Sequence, residues 1–195
     1  MTVRALVVLL AVLAEVPASA QTPQASPARA PKRGGGLWLD AGFGYGHVRL
    51  TCVTCPKVVA ATGAAVTVTA GFTPARNVLL GLQAQQWSST GGSVSRHVSS
   101  LLAVVQWYPW PATGFFVRGG NGIVRGPGAQ ASSTQGTGVG LALGLGYDVK
   151  VNRRLGLTVE AATNISAFGD LIVDGQPADD VIGYVSRLGV AVVLR

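Results

Sequence analysis

Residues 137–151 read TGVGLALGLGYDVKV. Val139, Leu141, Leu143, Leu145, Tyr147, Val149 and Val151 occupy alternate positions. Gly138, Gly140, Ala142, Gly144, Gly146, Asp148 and Lys150 fill the others. A helix would scatter the two sets around its axis, whereas a strand, with its period of two, puts them on opposite faces. One face is then large and apolar, the other small with isolated charge. A soluble barrel turns its large apolar side chains inward. Here the glycine face would make a poor solvent surface, but it fits the narrow interior of an eight-stranded barrel. The apolar face is therefore expected to meet lipid.

The same alternation recurs on both sides of this stretch. In Leu37–Leu50, Leu37, Leu39, Ala41, Phe43 and Tyr45 face one way, and Trp38, Asp40, Gly42, Gly44 and Gly46 the other. Ile182–Arg195 alternates Ile182, Tyr184, Ser186, Leu188, Val190, Val192 and Leu194 against Gly183, Val185, Arg187, Gly189, Ala191, Val193 and Arg195. Further strands fit Ala64–Thr73, Asn77–Trp87, His97–Tyr108, Gly114–Val124 and Leu155–Asn164. The His97–Tyr108 strand is apolar on both faces in its middle, so its facing stays open. The sequence thus predicts an all-β, eight-stranded antiparallel up-and-down transmembrane barrel over 37–195. Strands of about 10 residues suit a tilted span, and lipid demands closure because an open edge leaves backbone groups unpaired.

Punctuation agrees with that count. Proline removes a ladder donor, and Pro56, Pro74, Pro109, Pro111, Pro127 and Pro177 all fall between these strands. Connections near 51–63, 88–96, 125–136 and 165–180 are long, while those near 74–76, 109–113 and 152–154 are short. An up-and-down barrel with one elaborated end has this pattern. Aromatics gather near strand ends: Phe72, Trp107, Tyr108, Trp110, Phe115 and Tyr147 towards the short turns, and Tyr45, Trp87 and Tyr184 towards the loops. They are expected to form two interfacial girdles.

Composition narrows the class. The 195 residues include 27 glycines, all after Arg33, about twice the usual share of ~7%. Charged residues are 12%, half the usual ~25%. Hydrophobic residues are 48%, which excludes a disordered chain. Residues 1–20 read as a secretory signal peptide: Arg4, an apolar run Ala5–Leu13, and Ala18-Ser19-Ala20 as the cleavage site. Residues 21–36 (QTPQASPARAPKRGGG) form a basic Pro/Gly-rich linker.

Four stretches carry a family likeness: LWLDAGFGYG (37–46), FFVRGGNGIV (115–124), GVGLALGLGYDV (138–149) and the alternating last strand. The chain resembles the small eight-stranded outer-membrane barrels of Gram-negative bacteria, the OmpA-like and OmpX-like group, over about residues 36–195. The resemblance implies export to the outer membrane, contact with its lipid and lipopolysaccharide, and handling by the outer-membrane assembly machinery, as a monomer and without a nucleic-acid partner. Members usually end on an aromatic residue read by that machinery; this sequence ends Val193-Leu194-Arg195.

Several constellations could carry chemistry. Cys52 and Cys55 (CVTCP) are the only cysteines. A thioredoxin-like context is missing and only His47 lies near as a metal ligand, so in an oxidising compartment a short structural disulfide is expected. His97 and Ser99 form an H-x-S pair similar to that of outer-membrane lipid A deacylases, but Glu160, the acidic candidate, falls towards the other end of its strand. A structural or surface-interaction role is expected, with a lipid-modifying enzyme the remote alternative; no catalytic residue, metal or cofactor is expected, since the chain has no phosphate-binding loop, no paired glutamates and no HExxH. Asp40, Arg118, Asp148, Glu160 and Arg187 are predicted to point inward, where buried charge is tolerated only in pairs. Glu160 is expected to reach Arg187 on the neighbouring strand, and Asp40 the same guanidinium. This cluster would fill the lumen; a gate or a narrow channel for ions or small solutes is the alternative. Arg49, Lys57, Arg96 and Arg125 fall at loop-end positions, where lipopolysaccharide phosphates lie.

Overall fold

A computed structural model describes residues 36–51, 59–91, 94–126, 136–152, 154–173 and 176–195. Its strands are β1 (Leu37–Thr51), β2 (Val59–Ala75), β3 (Val78–Gly91), β4 (Val94–Trp107), β5 (Phe115–Arg125), β6 (Thr137–Lys150), β7 (Leu155–Val173) and β8 (Gln176–Leu194). Each pairs antiparallel with the next, and β8 pairs with β1 to close the barrel. Residues 1–20, expected to be a signal peptide, residues 21–35 of the expected linker, Cys52, Cys55 and Lys57 lie outside the described residues.

The register fixes the barrel's shape. Pairings lead from His47 through Ser186, Thr163, Leu143, Gly119, Val105, Leu80 and Phe72 back to β1 at Leu37, ten residues from the start. With a rise of ~3.3 Å per residue and ~4.8 Å between strands, this stagger tilts the strands by about 40°. The wall then lies about 8 Å from the axis, so the interior holds side chains and little else.

The two faces separate as the alternation requires. Leu141, Leu143 and Leu145 are 50%, 56% and 54% exposed, while Gly140, Ala142 and Gly144 between them are buried. Leaving such a leucine in water forgoes about 1.5–3 kcal/mol, and the outer wall repeats the arrangement on every strand. Small inward residues are needed for close packing: a side chain at Gly146 would begin 2.2 Å from Phe116 Cζ, and one at Gly63 would begin 2.9 Å from Trp87 Cζ2. The facing of β4 is settled with Val98, Leu102, Val104 and Gln106 inward and Leu101, Val105 and Trp107 outward.

Three sequence expectations are corrected. The connections expected at 88–96 and 165–180 are mostly strand, because β3 runs to Gly91, β4 starts at Val94, β7 runs to Val173 and β8 starts at Gln176. Ladder bonds join backbone groups, so the hairpins continue past the apolar band where side-chain alternation stops. Pro74 and Pro177 consequently lie within strands. Pro74 sits at a register shift between Phe72 and Ala75, and Pro177 is the second residue of β8, beyond two further shifts; both are places where a missing donor is tolerated. Trp87 and Tyr108 are not girdle residues. They are 1% and 0% exposed and point inward, while Tyr45, Phe72, Trp107, Trp110, Tyr147 and Tyr184 stand on the outside.

Candidate functional site

The lumen is layered. On the loop side, Val48, Leu50, Trp87, Val98, Val124 and Val185 pack into an apolar cluster that continues down to Leu102 and Val104. Near the short turns, Trp38, Leu79, Tyr108 and Phe116 form a second one. Between and beside them runs a polar belt to which every strand contributes.

Arg118 of β5 is its hub, buried to 3% exposure. Its Nη1 donates to Glu160 Oε2 at 3.1 Å and its Nη2 to Asp40 Oδ2 at 3.1 Å. Nε and Nη2 both donate to Gln106 Oε1, at 3.1 and 2.6 Å, and the guanidinium lies 5.4 Å from the Phe116 ring centre. The planar fork is suited to three acceptors on different strands. Thr69 Oγ1 donates to Asp40 Oδ1 at 3.4 Å. Arg187 Nη2 donates to the same Glu160 Oε2 at 3.3 Å, and its Nε to Gln85 Oε1 at 3.2 Å, which also accepts from Asn164 Nδ2 at 3.1 Å. Glu160 Oε1 lies 2.8 Å from where a side chain at Gly144 would begin, so glycine is the residue that leaves the carboxylate its room.

A lower branch centres on Asp148. Thr158 donates to its Oδ1 and Tyr108 to its Oδ2, both at 2.5 Å, and Arg195 ion-pairs with Oδ2. Arg195 Nη2 also donates to the Tyr108 hydroxyl at 2.9 Å. Gln106 Nε2 donates to that hydroxyl as well, linking the two branches. Among the described residues, three carboxylates thus meet three guanidiniums, and the belt is electrically balanced.

All five inward charges read from the sequence are buried in the lumen, but their partners differ in part. Glu160 reaches Arg187. Asp40 pairs with Arg118 and not with Arg187, because its register partner on β8 is Val193, whereas Arg187 lies opposite Gly46. Asp148 joins Tyr108 and Arg195 instead of the central cluster. Gln85 and Gln106 were not singled out from the sequence, Tyr108 was assigned to the girdle, and Arg195, though on the same face as Arg187, was not counted among the inward charges. The glutamines alternate inward within the third and fourth predicted strands, and that position is the one signal that could have found them. His97 is exposed and Ser99 half-buried, both on the outer side; Ser99 Oγ donates to Gln86 Oε1 at 3.2 Å. They stand on the opposite face of the wall from Glu160 and do not converge with it. Arg49 and Arg125 are exposed on the outer face of β1 and β5, four strands apart. Arg96 is placed by its backbone opposite Ser89.

Structural comparison finds the same architecture in Neisserial surface protein A, with a TM-score of 0.52 at 14% identity over 80% of this chain and 95% of that one. This is the OmpA-like/OmpX-like outer-membrane barrel fold. Ail, the attachment invasion locus protein of Yersinia pestis, matches in its complex with the heparin analogue sucrose octasulfate, with a TM-score of 0.52 at 13% identity over 80% of this chain and 98% of that one. Without that ligand, Ail matches at 0.50 and 14% identity. No family model and no curated protein sequence matches the chain.

Proposed function

We propose that this protein is exported through a cleaved signal peptide, spans the bacterial outer membrane as a monomer, and serves a structural or surface-interaction role without a conducting lumen or an enzymatic activity. The observation that carries this reading is the balanced Asp40–Arg118–Glu160–Arg187 belt, seated between apolar clusters inside a wall about 8 Å from the axis. An ion crossing it would have to break buried ion pairs and pass an apolar plug. A surface role is also in keeping with the two architectural neighbours, one named a surface protein and the other an attachment protein. The purified protein is expected to fold in detergent, to migrate differently on a gel before and after boiling, and to leave a planar bilayer silent. Steady unitary conductance would overturn the filled-lumen reading in favour of a narrow channel. A protein that is soluble without detergent and shows no heat shift would overturn the membrane reading.

Arg49 and Arg125 extend the proposal to lipopolysaccharide. Both are exposed on the outer wall at the loop end, at the depth where outer-leaflet phosphates sit, and a guanidinium pairs well with phosphate. Changing both to glutamine is expected to weaken lipopolysaccharide binding to the detergent-solubilised protein by about 3–10-fold at low salt, with the difference shrinking near 0.5 M salt as screening sets in. Unchanged binding would remove the contact.

A further inference from the structure

The outer wall carries a groove of about 500 Å³ at the foot of the β1–β8 seam. Leu37, Leu39, Ala70 and Leu194 line it, and Arg154 and Arg195 stand at its edge. Its origin is topological. Leu39 is the lowest β1 residue paired with β8, with Leu194, whereas Arg195 stays on the β7 ladder, its N–H bonding the Arg154 carbonyl at 2.9 Å, and Leu37 and Trp38 stay with β2. The wall is therefore notched where the two strands part.

Two features say what fits. The first is charge. Arg195 spends its guanidinium on Asp148 and Tyr108, but among the described residues the Arg154 side chain is exposed and has no carboxylate partner. Its position is held by its backbone: Asn152 Oδ1 accepts from the N–H groups of Arg154 and Leu155 at 2.8 Å each. Arg76 and Lys150, also exposed at the short-turn end, add to a positive rim. The second is apolar surface. Leu37 is 83% exposed and pairs with Phe72 of the outer aromatic belt, which puts the groove at the membrane interface. Its inner wall is Trp38, whose buried indole N–H has no acceptor among the described residues.

We propose that this groove holds one anionic phospholipid of the leaflet at the short-turn end, its phosphate on Arg154 and one acyl chain along Leu39 and Ala70. The inference rests on the membrane reading above. A zwitterionic lipid of equal chain length carries an ammonium that offsets the attraction to Arg154, so selectivity between the two is the signature of the site.

The test is native mass spectrometry of the full barrel in detergent, titrated with dioleoylphosphatidylglycerol or dioleoylphosphatidylcholine. One tightly held phosphatidylglycerol per barrel is expected, with phosphatidylcholine at least fivefold weaker. Arg154→Gln should abolish that preference. Ala70→Phe, which fills the groove and leaves the charge, should weaken both lipids about tenfold, and Arg125→Gln at the other end should change neither. Equal uptake of the two lipids by the unaltered protein, retention of the preference in Arg154→Gln, or unchanged binding of both lipids in Ala70→Phe, overturns the proposal. The heat shift on gels is scored on every sample, so a failed lipid site with an intact shift is distinct from failure of the membrane reading.

Discussion

Arg118→Ala is expected to destabilise the barrel by about 3–5 kcal/mol, the range for removing one partner of a buried ion pair. The effect belongs at the upper end because Arg118 serves two carboxylates and a glutamine at once. Without it, among the described residues, Asp40 keeps only the 3.4 Å bond from Thr69, Glu160 keeps only Arg187, and Gln106 Oε1 loses both N–H donors. Arg118→Lys restores the charge but not the fork, since an ammonium cannot meet acceptors on β1, β4 and β7 together; it should recover less than half of the loss. Arg76→Ala, in the exposed turn between β2 and β3, should stay within about 0.5 kcal/mol of the parent. Urea unfolding in detergent micelles, read by the gel shift, measures all three. Arg118→Ala unfolding at the same urea concentration as Arg76→Ala would show that the belt contributes nothing to stability.

Trp87→Ala is the second large effect, also about 3–5 kcal/mol. The indole is 1% exposed in the loop-side cluster, and its ring packs into the space left by Gly63, so truncation leaves a cavity that a closed wall cannot collapse around. Trp107, 47% exposed on the outer face, should cost less than 1 kcal/mol when changed to alanine in detergent. Lipid-borne quenchers separate the two directly. In single-tryptophan variants, Trp107 fluorescence should be quenched by brominated acyl chains, and Trp87 fluorescence should not. Trp87→Ala should also remain silent in a planar bilayer, because the ionic belt below the new cavity stays intact. Conductance in that variant would place the whole barrier in the apolar plug.

The alternation of residues 137–151 is a local property, and local geometry is enough to decide it: a period of two sends leucine and glycine to opposite faces whatever the neighbours do. The outward apolar face, the count of strands, the antiparallel order and the inward direction of Asp40, Arg118, Asp148, Glu160 and Arg187 were therefore all legible in the sequence. Where both faces of a strand are apolar, as in the middle of β4, the pattern has no preferred phase. Near strand ends an aromatic at either phase reads as girdle, and Trp87 and Tyr108 were misread for that reason. Hairpin length was hidden too, since ladder bonds continue through residues that do not alternate. Partnership inside the lumen depends on the ten-residue stagger gained around the closed wall, which no single strand encodes. That stagger sets Asp40 opposite Val193, out of reach of Arg187, and level with Arg118 across the interior; it also brings Arg195 up to Asp148 and Tyr108. Facing follows from the pleat of one strand, whereas pairing follows from the closure of all eight.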